Sequence, residues 1–163
     1  VSLLDSAIAF AAQAHVDHRR KYTGDPYIVH PLEVMSIVRS VEPDREDMAI
    51  TAVLHDVIED TLVGPFPIGR RFGPDILAMV VELTEVPIEG NRAVRKAAEC
   101  RRLAGVSPEA QTIKVADLIS NTSTIVEFDP GFAQVYLAEK AALLDVLTQA
   151  HPALIERARR TLA

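Results

Sequence analysis

Residues 52–61 read AVLHDVIEDT, Ala52 to Thr61, and this stretch decides how the chain is read. Ile50, Val53, Leu54, Val57 and Ile58 recur at helical intervals and predict one helix over about 45–60. His55-Asp56 interrupts that apolar run. A charge on a mostly buried helix is costly unless it is paired or bound to metal. One turn later come Glu59 and Asp60. His55 and Glu59 share one stripe of the helix, and Asp56 and Asp60 share the next. Three carboxylates crowded this way repel one another unless a cation or basic groups compensate.

Two distant residues extend the set. His30 precedes Pro31 at a predicted helix start, and Asp117 interrupts the apolar run IKVADLI. Together His30, His55, Asp56 and Asp117 offer two imidazoles and two carboxylates, a donor mixture suited to a divalent first-row metal with positions open to water or substrate. Without thiolates the set is not a structural zinc knot. Asn121 and Thr124 follow Asp117 at four and seven residues, on one helix face. Asn121 presents both donors and acceptors for a base or sugar hydroxyl.

Helical spacing continues along the chain. Ser2 and Asp5 form a capping-box pattern for a first helix ending near His15. Residues 17–29 hold Gly24, Asp25 and Pro26 and predict a loop. Further helices are predicted over about 31–40, 45–60, 74–85, 91–104 and 108–124, with a short segment after Pro65. Asp44 is the expected N-cap of the helix at 45. Asp129-Pro130-Gly131 is expected to break the chain before a long helix to about Ala150 and a last one after Pro152. No alternating strand pattern, repeat or dividing linker stands out. The expected fold is an all-α bundle of roughly eight to ten helices in one domain, residues 1–163.

Composition narrows the function. The chain has 163 residues and is 48% hydrophobic, enough to bury a core without disulfides or a structural metal. Its 17 basic and 23 acidic residues give −6, which argues against a broad nucleic-acid or anionic-membrane surface. The single Cys100 excludes an intrachain disulfide and fits a reducing compartment, so the cytoplasm is expected. No apolar run is long enough to span a membrane. The basic residues are clustered, however. His18-Arg19-Arg20-Lys21 leads toward His30, and Arg92, Arg95, Lys96 and Arg102 lie on roughly one side of a predicted helix. Arginine forks suit phosphate oxygens and can stack on a base.

The segments RKYTGDPYIVHPLEV (20–34), AVLHDVIEDT (52–61) and KVADLISNTSTI (114–125) resemble the HD-domain hydrolase module of RelA/SpoT homologues, above all the small alarmone hydrolases. The resemblance implies an all-helical HD fold and Mn²⁺ held by His30, His55, Asp56 and Asp117. It implies that Glu59 and Asp60 position and activate the attacking water. It implies hydrolysis of (p)ppGpp at the 3′-pyrophosphate, giving pyrophosphate and GDP or GTP. Arg20 and Lys21 match the family's nucleotide-contacting RK pair, and Asn121 and Thr124 its residues near ribose and base. Arg92 and Lys96 are expected at the phosphates. The chain's length implies a hydrolase without a synthetase half. Leu118 and Ser120 replace the arginine and histidine of the family's ADRLHN, so guanine and adenine alarmones both stay open. Two alternatives stand: an HD phosphohydrolase acting on NADPH or a nucleoside monophosphate, and a non-catalytic nucleotide-binding module. The expected partner is a small nucleotide, with no nucleic acid and no membrane; self-association stays open.

Overall fold

Ser2 starts the first helix by the capping box its sequence announces. Its hydroxyl accepts the Asp5 N–H at 3.0 Å, and the Asp5 carboxylate accepts the Ser2 N–H at 3.2 Å. From there the computed structural model, which describes residues 1–163, is helical throughout. Its only strand-like pairing is one bridge between Arg19 and Pro26. The chain forms two compact units, residues 1–84 and 85–163.

The first unit comprises α1 (Leu3–Ala14), α2 (Val29–Val41), α3 (Glu46–Leu54), α4 (Val57–Asp60), α5 (Pro65–Phe72) and α6 (Pro74–Leu83). Its core joins Ala7 and Ala11 of α1 with Ile50, Val53, Leu54 and Val57, and with Ile68, Phe72, Ile76 and Val80. Seven consecutive residues of α3, Met48–Leu54, are buried, so this helix is the central element against which α1, α2 and α6 pack. Burial on all sides, not an amphipathic stripe, is what its near-continuous apolar sequence encodes. Gly24 has φ +73° in the loop before α2, a conformation that a side chain rarely adopts.

The second unit comprises α7 (Arg92–Ala104), α8 (Pro108–Phe128), α9 (Pro130–Val146) and α10 (Pro152–Leu162). Asn91, Ser107, Asp129 and His151 each accept a backbone N–H at the start of the following helix. Gln111 is fully buried yet satisfied: its amide donates to the carbonyls of Leu103 and Ala104, and its Oε1 accepts the Gln149 N–H.

The expected all-α fold is observed, with several boundaries corrected. The single helix expected over 45–60 is two, α3 and α4, parted at His55-Asp56. Asp44 is not the N-cap of α3; Arg45 holds that position, and its guanidinium pairs with Asp47. Helix α2 begins at Val29, so His30 lies within its first turn. Helix α8 runs on to Phe128, and α9 stops at Val146 instead of about Ala150. Asp129-Pro130-Gly131 separates two helices by one residue: Asp129 closes α8 and its carboxylate accepts the Phe132 N–H to start α9.

Candidate metal centre

The parting of α3 and α4 builds the site. In an unbroken helix the Ala52 carbonyl would accept the Asp56 N–H. Here the His55 Nδ1–H donates to that carbonyl at 2.6 Å, and Asp56 turns to φ −100°, ψ −2° before α4 resumes. This hydrogen bond also fixes the imidazole tautomer. With Nδ1 protonated, Nε2 of neutral His55 carries the lone pair. Nε2 lies 3.1 Å from Asp56 Oδ2. His30, 1% exposed within α2, brings its own Nε2 to 3.6 Å from the same oxygen. A nitrogen of each histidine and an oxygen of Asp56 thus lie within 4.8 Å of one another. Their convergence and their mixed chemistry fit a divalent first-row ion.

The surroundings hold these donors in place. Tyr27, three residues before His30, donates its hydroxyl to Asp56 Oδ2 at 2.6 Å and stands 3.5 Å from Asp60 Oδ2. Its ring stacks on His18 at 3.9 Å and meets His30 edge-on at 5.8 Å. Behind it, His15 is buried, and its Nε2 has no hydrogen-bond partner. Burial pushes the His15 pKa down to about 4, against a smaller opposing pull from Asp56. Sequence reasoning missed Tyr27 and His15, and read His18 only as part of the basic cluster 18–21. The i, i+3 spacing of Tyr27 and His30 was the available signal.

Asp56, Glu59 and Asp60 form a second cluster, in which the last two are exposed. Partial burial of the Asp60 carboxyl raises its pKa, and the neighbouring Asp56 charge raises it further. A cavity of about 650 Å³ opens beside His18 and Asp60, walled by Phe10, Val63 and Arg71. That volume is within the range of small-ligand pockets. Arg20 and Lys21 lie in the loop before α2, Arg20 5.9 Å above the Tyr27 ring and Lys21 5.2 Å above the Tyr22 ring.

The second unit holds the remaining predicted residues. Asp117 is 7% exposed on α8. Its Oδ2 accepts from Lys114 Nζ at 3.1 Å and its Oδ1 from Asn121 Nδ2 at 3.1 Å. Thr124 lies partly buried on the same helix. Arg92, expected at a phosphate, finds a different partner: its fork binds Glu139 at 2.6 and 2.9 Å and covers the Phe132 ring. Arg102 likewise pairs with Glu99. The basic face read from α7 is therefore partly neutralised, by Glu99 at i, i+3 spacing on the same helix and by Glu139 from α9, which helical spacing does not reveal.

These features define a helical domain whose histidines and carboxylates are arranged to hold a divalent metal beside further acidic groups. A family model of the HD domain matches residues 7–157, and the chain belongs to the HD-domain family. It is 35% identical over 129 residues to "GTP pyrophosphokinase rsh" of Brucella ovis, 76% of this chain and 17% of that protein. It is 34% identical over 117 residues to the guanosine-3′,5′-bis(diphosphate) 3′-pyrophosphohydrolase MESH1 of Drosophila melanogaster, 70% of this chain and 64% of that one. The chain thus spans about a sixth of the bacterial relative and just under two thirds of the fly protein. A solved structure described as a metazoan orthologue of SpoT that hydrolyses ppGpp matches with TM-score 0.89 and 27% identity, over 99% of this chain and 94% of that one. No helix is long and apolar enough to cross a membrane.

Proposed function

We propose that residues 1–163 act as one HD hydrolase domain that removes the 3′-pyrophosphate of guanosine or adenosine alarmones, converting (p)ppGpp to GDP or GTP and pyrophosphate. The observation that carries this is the convergence of His30, His55 and Asp56, with Glu59 and Asp60 one turn away. Similarity to the fly and metazoan ppGpp hydrolases supports the substrate class. One family model spanning both units supports a single functional domain.

In this proposal Asp117 completes the ligand set, and Mn²⁺ is the ion. Asp117 suits that role as a nearly buried carboxylate held by Lys114 and Asn121. A bound divalent ion supplies Lewis acidity and offsets phosphate charge. Glu59 and Asp60 orient the attacking water and take its proton, and the raised pKa of Asp60 brings that carboxyl closer to a working general base. Arg20, Lys21 and Lys96 bind phosphate oxygens, with Asn121 and Thr124 toward the ribose and base. For Arg92 to join them, its fork must leave Glu139. The single Cys100 fits a reducing compartment, so the proposal extends to the cytoplasm.

A substrate panel of ppGpp, ppApp, NADPH and a nucleoside monophosphate, with Mn²⁺, tests the reading by product. Pyrophosphate is expected from the alarmones. Orthophosphate from NADPH or the monophosphate, without alarmone turnover, would transfer the site to the other HD chemistry. Alarmone binding without turnover in metal-loaded protein would make it a non-catalytic module. Glu59→Gln is expected to retain Mn²⁺ while turnover falls about 10²- to 10⁴-fold.

A further inference from the structure

The basic run His18-Arg19-Arg20-Lys21 divides in two once the chain is folded. Residues 18–27 close on themselves as a short hairpin: the Tyr27 N–H donates to the His18 carbonyl at 2.9 Å, and the Arg20 N–H to that of Asp25 at 2.8 Å. Arg19 and Pro26 pair between them. Arg20 and Lys21 therefore sit toward the turn, whereas His18 stands at the mouth, directly across from Tyr27. Their two rings lie nearly parallel, 6° apart in plane and 3.9 Å between centroids.

His18 is held from behind by His15. The two Nδ1 atoms are 3.4 Å apart, and His15 is 2% exposed with no partner at Nε2. A neutral imidazole carries one N–H. Placed on His15 Nδ1, it donates to His18 and leaves a bare lone pair at Nε2. Placed on Nε2, it would be a buried and unpaired donor, the costlier arrangement. With His15 as donor, His18 Nδ1 accepts, and that bond fixes the rotation of the His18 ring. On the other side of the stack, the Tyr27 hydroxyl donates to Asp56 Oδ2 at 2.6 Å and stands 3.5 Å from Asp60 Oδ2. One phenol thus touches both carboxylates, and it holds them only while its ring cannot swing.

We propose that His18 is a positioning residue for the metal centre and not a phosphate ligand: anchored by His15, its ring clamps Tyr27 so that the hydroxyl keeps Asp56 and Asp60 in register. This rests on the metal-dependent hydrolase reading above. The test is a double-mutant cycle read by calorimetry, with Mn²⁺ titrated into metal-free wild type, His18→Ala, Tyr27→Phe and the double variant. His18→Ala is expected to weaken Mn²⁺ binding about tenfold. The double variant should bind within about twofold of Tyr27→Phe, because His18 acts through the hydroxyl that phenylalanine lacks. His18→Phe, which keeps a flat ring, should recover binding to within about threefold of wild type. His18→Leu, which has bulk but no flat ring, should match His18→Ala and replaces it if the smaller side chain unfolds the loop.

On ppGpp at saturating Mn²⁺, His18→Ala should lower kcat and leave KM within about twofold. Unchanged Mn²⁺ affinity in His18→Ala, additive losses in the double variant, or a rise in KM alone would overturn the proposal; the last would return His18 to the phosphate-binding cluster. If the wild type binds Mn²⁺ but cleaves no alarmone, the alarmone reading fails by itself and the calorimetric cycle still decides the role of His18. A wild type that binds no Mn²⁺ overturns the proposal outright.

Discussion

At the site the decisive atom is Asp56 Oδ2, approached by His30, His55 and the Tyr27 hydroxyl. A hydrogen bond to a ligating carboxylate orients it, and losing such a bond typically weakens metal binding about 10- to 100-fold. Tyr27→Phe keeps the ring on His18 and removes only the hydroxyl. Its Mn²⁺ affinity, measured by calorimetry, is expected to fall within that range, while Asp56→Ala should abolish binding. His15 has a different consequence. Its folded pKa of about 4 lies below the ordinary histidine value of 6.5, so between the two the unfolded chain binds more protons. The stability associated with this buried neutral ring is complete above pH 6.5 and is lost as pH falls toward 4. The loss is at most about 3 to 4 kcal/mol, because a tenfold change in proton affinity is worth about 1.4 kcal/mol, and screening by solvent reduces it. Urea unfolding of metal-free protein from about pH 7 to 4 should show a shallower decline in His15→Leu than in wild type.

Among the elements, α3 and α9 show how local chemistry sets boundaries. The apolar period runs unbroken through 45–60, so periodicity alone reads one helix. The His55 ring donates to the Ala52 carbonyl at the point where α3 ends, and no propensity scale carries that hydrogen bond. The break also changes the site. In one helix His55 and Asp56 would point about 100° apart. At the junction their ligand atoms stand 3.1 Å apart. Asp129 matters for the opposite reason, because it lets two long helices follow each other with one residue between them. Asp129→Ala removes the hydrogen bond to the Phe132 N–H. Thermal or urea unfolding should report a loss of about 1 kcal/mol.

For the molecule as a whole, net charge misdirects where local charge informs. A total of −6 coexists with basic residues clustered at 18–21 and on α7, and with a carboxylate cluster that calls for a cation. Metal should therefore stabilise the chain. Saturating Mn²⁺ at about 100 times its dissociation constant is expected to add about 2.7 kcal/mol, and chelation by EDTA should return the melting temperature to the metal-free value. An unchanged melting temperature in Mn²⁺ would argue against a resident metal. The sequence by itself determined the helical class, the capping box at Ser2 and the residue types of the candidate metal site. Those depend on period, on short-range side-chain-to-backbone bonds, and on the cost of a charge in an apolar run, all of which are local. Only the tertiary structure decided the break at His55-Asp56, the seating of Tyr27 on Asp56, and the capture of Arg92 by Glu139. Each depends on a partner far along the chain or on a carbonyl whose availability appears only once the helices have packed.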